Sequence, residues 1–159
     1  MCLAAALAAL LLGAAGCASE QGSAANAAPR SRDLDDLVRD DGQWAMPAKN
    51  YASTRYSTLA EITTANVKDL RLAWTFSTGI RRGHEGAPLV IGSTMYVVSP
   101  FPNTLYALDL TKSGAMKWKY QPPYIRAANG VACCDVVNRG LAYYDGALFF
   151  NTLDNQVVS

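Results

Sequence analysis

Residues Thr104 to Tyr120 read TLYALDLTKSGAMKWKY. Two runs rich in apolar, aromatic and β-forming residues flank a short polar stretch, the pattern of two strands joined by a tight turn. In that stretch the Asp109 carboxylate can accept backbone N–H bonds and Gly114 can supply a left-handed residue. The spacing predicts strand, turn, strand and then Trp118, whose ring is expected to pack flat against a neighbouring sheet with its N–H partnered.

The same texture extends in both directions. LRLAWTF (70–76), APLVI (87–91), TMYVVS (94–99), GLAYY (140–144) and ALFFNT (147–152) are short strand-like runs. Gly92-Ser93, Pro100 to Asn103, Ser113-Gly114 and Asp145-Gly146 separate them as turn formers. Asp145-Gly146 is the clearest hairpin signal, because both residues tolerate positive φ. Upstream, DLDDLVRDD (33–41) predicts a short helix with Leu34, Leu37 and Val38 on one face, ended by Gly42. TTANVKDL (63–70) predicts a second, capped by Thr63, Thr64 or Asn66. The body is therefore all-β, built from successive hairpins. Strand-turn-Trp units recur blade after blade in β-propellers, although one unit alone reads better as an ordinary hairpin with a core Trp. NTLDNQVVS (151–159) is expected to begin another unit and stop before its turn. Propeller blades stabilise one another in a ring, so the chain reads as the N-terminal fragment of a longer protein, aggregation-prone alone.

Composition narrows the function classes. The chain has 159 residues, half of them apolar, and a formal net charge of +1. Near-neutrality gives no electrostatic case for a nucleic-acid partner. No Lys, Arg, Asp or Glu precedes Glu20. MCLAAALAALLLGAAGCAS has an apolar run too short to span a bilayer and closes on small residues, so residues 1–18 read as a signal segment without the usual basic start. Ala14 to Cys17 resembles a bacterial lipobox. Either Cys17 is acylated, anchoring the protein to a membrane, or cleavage follows Ala18. Both readings export the chain to the periplasm. Residues 19–32 read as a flexible linker and 33–159 as the body.

Export sharpens the meaning of Cys133 and Cys134, the two cysteines outside the signal segment. In an oxidising compartment they are expected to pair with each other; two reduced thiols and a redox switch are the alternatives. Closing so small a ring removes little loop entropy, so fold stabilisation explains it poorly. A vicinal disulfide does offer a rigid, flat, polarizable lid for a planar conjugated ring. Arg139, in Asn138-Arg139-Gly140, brings a planar cation that can pair with a carboxylate or stack on an aromatic face. Glu85, in Gly83-His84-Glu85-Gly86, is placed to accept bonds at a strand mouth. His84 is the sole histidine, so a His-based metal site does not fit and a hydrogen-bonded structural role does. Arg81 and Arg82 read as solvated.

Together these residues resemble the quinoprotein alcohol dehydrogenases that use pyrroloquinoline quinone (PQQ), the methanol and ethanol dehydrogenases above all. The resemblance runs through WAMPAKNY (44–51), NVKDLRLAWTFSTG (66–79), GHEGAPLV (83–90), FPNTLYALDL (101–110) and ACCDVVNRGLAY (132–143). It implies part of an eight-bladed β-propeller. It also implies oxidation of a primary alcohol to the aldehyde, with electrons passed to a cytochrome c. Cys133 and Cys134 would form a disulfide over one face of PQQ, while Glu85 and Arg139 bond its polar rim. The family's metal, Ca²⁺ or a lanthanide, is held by residues later in the chain, as are its catalytic base and stacking Trp. The resemblance therefore assigns no catalytic or metal-binding residue here. The competing reading is a non-enzymatic propeller scaffold, such as an outer-membrane assembly lipoprotein, which would need neither the cysteine pair nor Glu85 and Arg139.

Overall fold

A computed structural model describes residues 34–132 and 135–159. The signal segment, the linker, Cys17, Cys133 and Cys134 lie outside the described residues. In chain order the elements are α1 (Leu34–Arg39), a 3₁₀ turn (Val67–Asp69), β1 (His84–Ala87), β2 (Leu89–Ile91), β3 (Thr94–Val98) and β4 (Leu105–Asp109). They continue with a second 3₁₀ turn (Leu110–Lys112), β5 (Ala115–Tyr120), α2 (Ala128–Val131), β6 (Asn138–Gly140), β7 (Ala142–Tyr144), β8 (Ala147–Asn151) and β9 (Val157–Val158).

Strands β2 to β5 form a four-stranded antiparallel meander and β7 to β9 a three-stranded one. The turns predicted for them are present. Ser113 and Gly114 both have positive φ after Asp109, whose Oδ1 accepts from the Thr111 N–H at 2.9 Å and the Thr111 hydroxyl at 2.6 Å. Asp145 and Gly146, at φ 45° and 79°, close the β7–β8 hairpin. The two sheets pack face to face because side chains alternate along each strand. Leu89, Val98 and Leu105 meet Leu141 and Phe150 in one buried cluster, flanked by Tyr96, Tyr143, Leu148 and Val158. Burying each large apolar side chain contributes roughly 1.5–3 kcal/mol.

The opposite face of the first sheet is covered differently. Leu70 to Phe76 was expected to be a strand, yet it pairs with none among the described residues. Strand-like alternation survives in it nonetheless. Trp74, Phe76, Thr78 and Ile80 are half-buried, whereas Thr75, Ser77 and Gly79 are exposed. Phe76 meets Tyr106 edge-on at 5.1 Å, and the Tyr106 hydroxyl donates to the Thr78 carbonyl at 3.3 Å. Trp74 lies against Gly114: a Cβ there would fall 2.4 Å from the indole Cε3.

Trp118 is less enclosed than expected. Its ring is 43% exposed and tilted against Tyr96 at 6.0 Å. Strand β5 is the edge of its sheet and every residue in it is exposed, and a cleft of about 410 Å³ separates Trp118 from Tyr143, Leu148 and Phe150 of the second sheet. One other expectation changes. Asn66 does not cap a helix; its side chain turns back to accept from the Thr63 N–H and donate to the Glu61 carbonyl, leaving one 3₁₀ turn. Within residues 151–159 a tight turn joins β8 to β9, since Thr152 N–H donates to the Gln156 carbonyl and Asn155 has φ 66°.

The N-terminal segment is pinned to the edge of the first sheet. Trp44 and Val90 exchange both backbone hydrogen bonds, at 2.8 and 3.0 Å. Lys49 is buried, and a buried ammonium requires partners. It donates to the Asp40 and Gln43 carbonyls at 2.8 and 2.9 Å and pairs with Asp41 at 3.6 Å.

Candidate functional site

The site is assembled by a feature that hairpin reading does not anticipate. Strands β1 and β6 pair in parallel, with His84 opposite Asn138 and Ala87 opposite Gly140. Both contain a glycine where the backbones approach most closely. A Cβ on Gly86 would stand 3.0 Å from the Gly140 nitrogen and 3.1 Å from the Asn138 oxygen. Gly140 has φ +114°, and a Cβ there would meet the Ala87 oxygen at 3.2 Å.

This close pairing brings Glu85 and Arg139 together, with Nη2 of Arg139 3.4 Å from Oε2 of Glu85. The guanidinium side chain is 84% exposed and the carboxylate 50% exposed. An ion pair this open contributes at most about 1 kcal/mol to the fold. It is better understood as a presented donor–acceptor set, a planar cation beside a carboxylate, both open to a ligand. Clefts of about 270 and 260 Å³ flank Arg139, one reaching Asn151 to Leu153 and the other Phe149 and Val157.

A second ion pair crosses the segments just before these strands. Arg82 Nε lies 3.1 Å from Asp135 Oδ1, so Arg82 is exposed but paired, beyond the solvated role expected of it. Asp135 is left-handed at φ 72°. Next to it Val136 packs on Gly83 and accepts from the Phe101 N–H at 2.9 Å. The two residues following the cysteine pair are thereby tied to the segment before β1 and to Phe101. His84 has the structural role expected of it: Nε2 sits 3.1 Å from the Thr78 hydroxyl and 3.0 Å from the Ile80 carbonyl, tying β1 to the covering segment. Asn138 went unremarked in the sequence. It is buried, donates from Nδ2 to the Asn151 carbonyl at 2.8 Å, and accepts the Gly140 N–H on Oδ1 at 2.9 Å.

This geometry sits in a stretch that matches a known domain. The model for the β-propeller domain of PQQ-type glucose, ethanol and alcohol dehydrogenases matches residues 44–159. The chain belongs to this family. Within this PQQ dehydrogenase family it is 60% identical over 124 residues to the lanthanide-dependent methanol dehydrogenase of Methylacidiphilum fumariolicum (strain SolV), covering 77% of the chain and 20% of that protein. It is 52% identical over 132 residues to methanol dehydrogenase [cytochrome c] subunit 1 of Methylobacterium organophilum, covering 79% and 21%. Among solved structures, a europium-containing methanol dehydrogenase superposes with a TM-score of 0.75 at 60% identity, covering 78% of the chain and 22% of its own. The chain thus spans about a fifth of the length of the relatives it matches. Its two meanders are part of a β-propeller.

Proposed function

We propose that this chain supplies part of the PQQ site of a periplasmic alcohol dehydrogenase. The enzyme oxidises a primary alcohol of the methanol or ethanol class to its aldehyde and passes the electrons to a cytochrome c. The observation that carries this reading is the Glu85–Arg139 pair, held open to solvent by the glycine-tight crossing of β1 and β6. The residues present suit a planar, polar-rimmed quinone. Arg139 offers several N–H donors in one plane, Glu85 offers an acceptor beside them, and Arg139 lines two clefts. Bound there, PQQ would supply the two-electron acceptor for the alcohol.

The roles of the chain's own residues follow. Arg139 and Glu85 orient the cofactor rim. Cys133 and Cys134, joined as a vicinal disulfide, form a stiff lid over one face. Relatives named as cytochrome c and lanthanide-dependent methanol dehydrogenases support the electron acceptor, the alcohol class and the metal. Between Ca²⁺ and a lanthanide, the name of the 60%-identical relative favours the lanthanide. Residues 1–18 direct export, residues 19–32 act as a tether, and Cys17 is the acylation point if the lipobox is used.

PQQ titration of the whole enzyme tests the site. Glu85→Gln or Arg139→Ala is expected to weaken cofactor binding about tenfold or more, as loss of a charge-assisted hydrogen bond does. An unchanged titration for both would remove the assignment. Native alkylation followed by mass measurement is expected to leave Cys133 and Cys134 unlabelled; two alkylated thiols would refute the lid.

A further inference from the structure

We infer that Asn138 is a positioning residue for the cofactor site, coupling the direction of Arg139 to the adjoining sheet. This inference rests on the PQQ-site reading of Arg139 and goes further, because Asn138 is buried, at 7% exposed, and both ends of its amide are engaged by the protein's own backbone. Its amide spans the residue it serves. Oδ1 takes the Gly140 N–H on the far side of Arg139, and Nδ2 donates to the Asn151 carbonyl at the end of β8. The first bond closes a local loop around Arg139 and holds Gly140 at φ +114°, a conformation favoured for glycine. The second fastens that loop to the three-stranded sheet.

A second buried asparagine grips the same stretch from another side. Asn103 is 1% exposed, and its Oδ1 accepts the Leu153 N–H at 2.9 Å. The backbone after β8 is therefore held at Asn151 by Asn138 and at Leu153 by Asn103, one hydrogen bond each. Arg139 leaves this anchored base directly, so its exposed guanidinium has a fixed origin. From that origin the guanidinium reaches Glu85 at 3.4 Å. A cation whose backbone is fixed has fewer degrees of freedom left to lose on meeting a ligand, and so binds it more tightly.

The inference predicts coupling between Asn138 and Arg139. In the whole enzyme, Asn138→Ala is expected to raise the PQQ dissociation constant about tenfold. The double variant Asn138→Ala/Arg139→Ala should bind PQQ no more weakly than Arg139→Ala alone, since Asn138 acts through that side chain. Additive losses, or an Asn138→Ala titration like the parent's while Arg139→Ala is impaired, would overturn the positioning role and leave the cofactor site standing. If Arg139→Ala itself binds PQQ normally, both readings fall. Should Asn138→Ala not fold, Asn138→Ser serves in its place: the hydroxyl can still accept the Gly140 N–H but cannot reach the Asn151 carbonyl. The expected result is intermediate PQQ affinity, again lost as a separate effect when Arg139 is removed; parent-like affinity would overturn the role of the Asn151 bond.

Discussion

The Thr111 hydroxyl donates to Asp109 and holds its carboxyl below the ordinary value of 3.8, outweighing the partial burial that would raise it. Nearby Lys117 and Lys112 add smaller contributions of the same sign. A carboxyl depressed in the folded state stabilises the fold above its unfolded pKa, and that contribution disappears as pH falls through the folded value. The window is therefore acidic, below about 3.8. Thr111→Val removes the hydroxyl and keeps the backbone N–H bond, so the Asp109 midpoint should rise toward its ordinary value. Acidification should then remove less stability than in the parent. An NMR titration of the Asp109 carboxyl carbon reads the midpoint directly; no upward movement would exclude Thr111 as the cause. This turn was legible from Asp109 and Gly114 because its chemistry is local. Asn138 was not, because its partner Asn151 is distant in sequence and nothing adjacent marks the contact.

At the scale of elements, the contact between Trp74 and Gly114 joins the unpaired segment 70–80 to the turn after β4. Gly114→Ala places a methyl inside the indole and also asks alanine to adopt φ +74°. The expected loss is roughly 1–3 kcal/mol by equilibrium unfolding. In a Trp74→Ala background the steric part should vanish and the backbone part remain, so the second measurement separates them. Equal losses in both backgrounds would show that Trp74 does not rest on this turn. The sequence pattern had suggested a strand at 70–76, and its alternation was real; what it could not show is that no ladder partner stands among the described residues. Nor could it show the β1–β6 pairing, in which each strand is too short to carry a periodic signal. One clue was available: Arg82 and Glu85 on one segment oppose Asp135 and Arg139 on the other with charges in complementary order. Such complementarity between two segments identifies neighbours only once some reason exists to align them.

Across the whole described body, the two meanders depend on one shared cluster. Phe150 is 4% exposed and stands in the second sheet, while Leu89, Val98 and Leu105 stand in the first. Each sheet buries part of its apolar surface against the other, so neither has a closed core of its own. The bond from Asn103 to Leu153 joins the β3–β4 turn to the β8–β9 turn and reinforces the joint, while that from Asn138 to Asn151 ties β6 to the second sheet. Phe150→Ala should therefore destabilise both sheets together, by about 3–5 kcal/mol if the cavity does not collapse. Hydrogen exchange distinguishes this from a local defect. Amides of Tyr96 and Val98 in β3 should lose protection in step with those of Leu148 and Phe150 in β8, because opening the shared cluster exposes all of them. If β8 alone exchanged faster while β3 kept its protection, the sheets would be separate units, and the β1–β6 pair could not draw its rigidity from both.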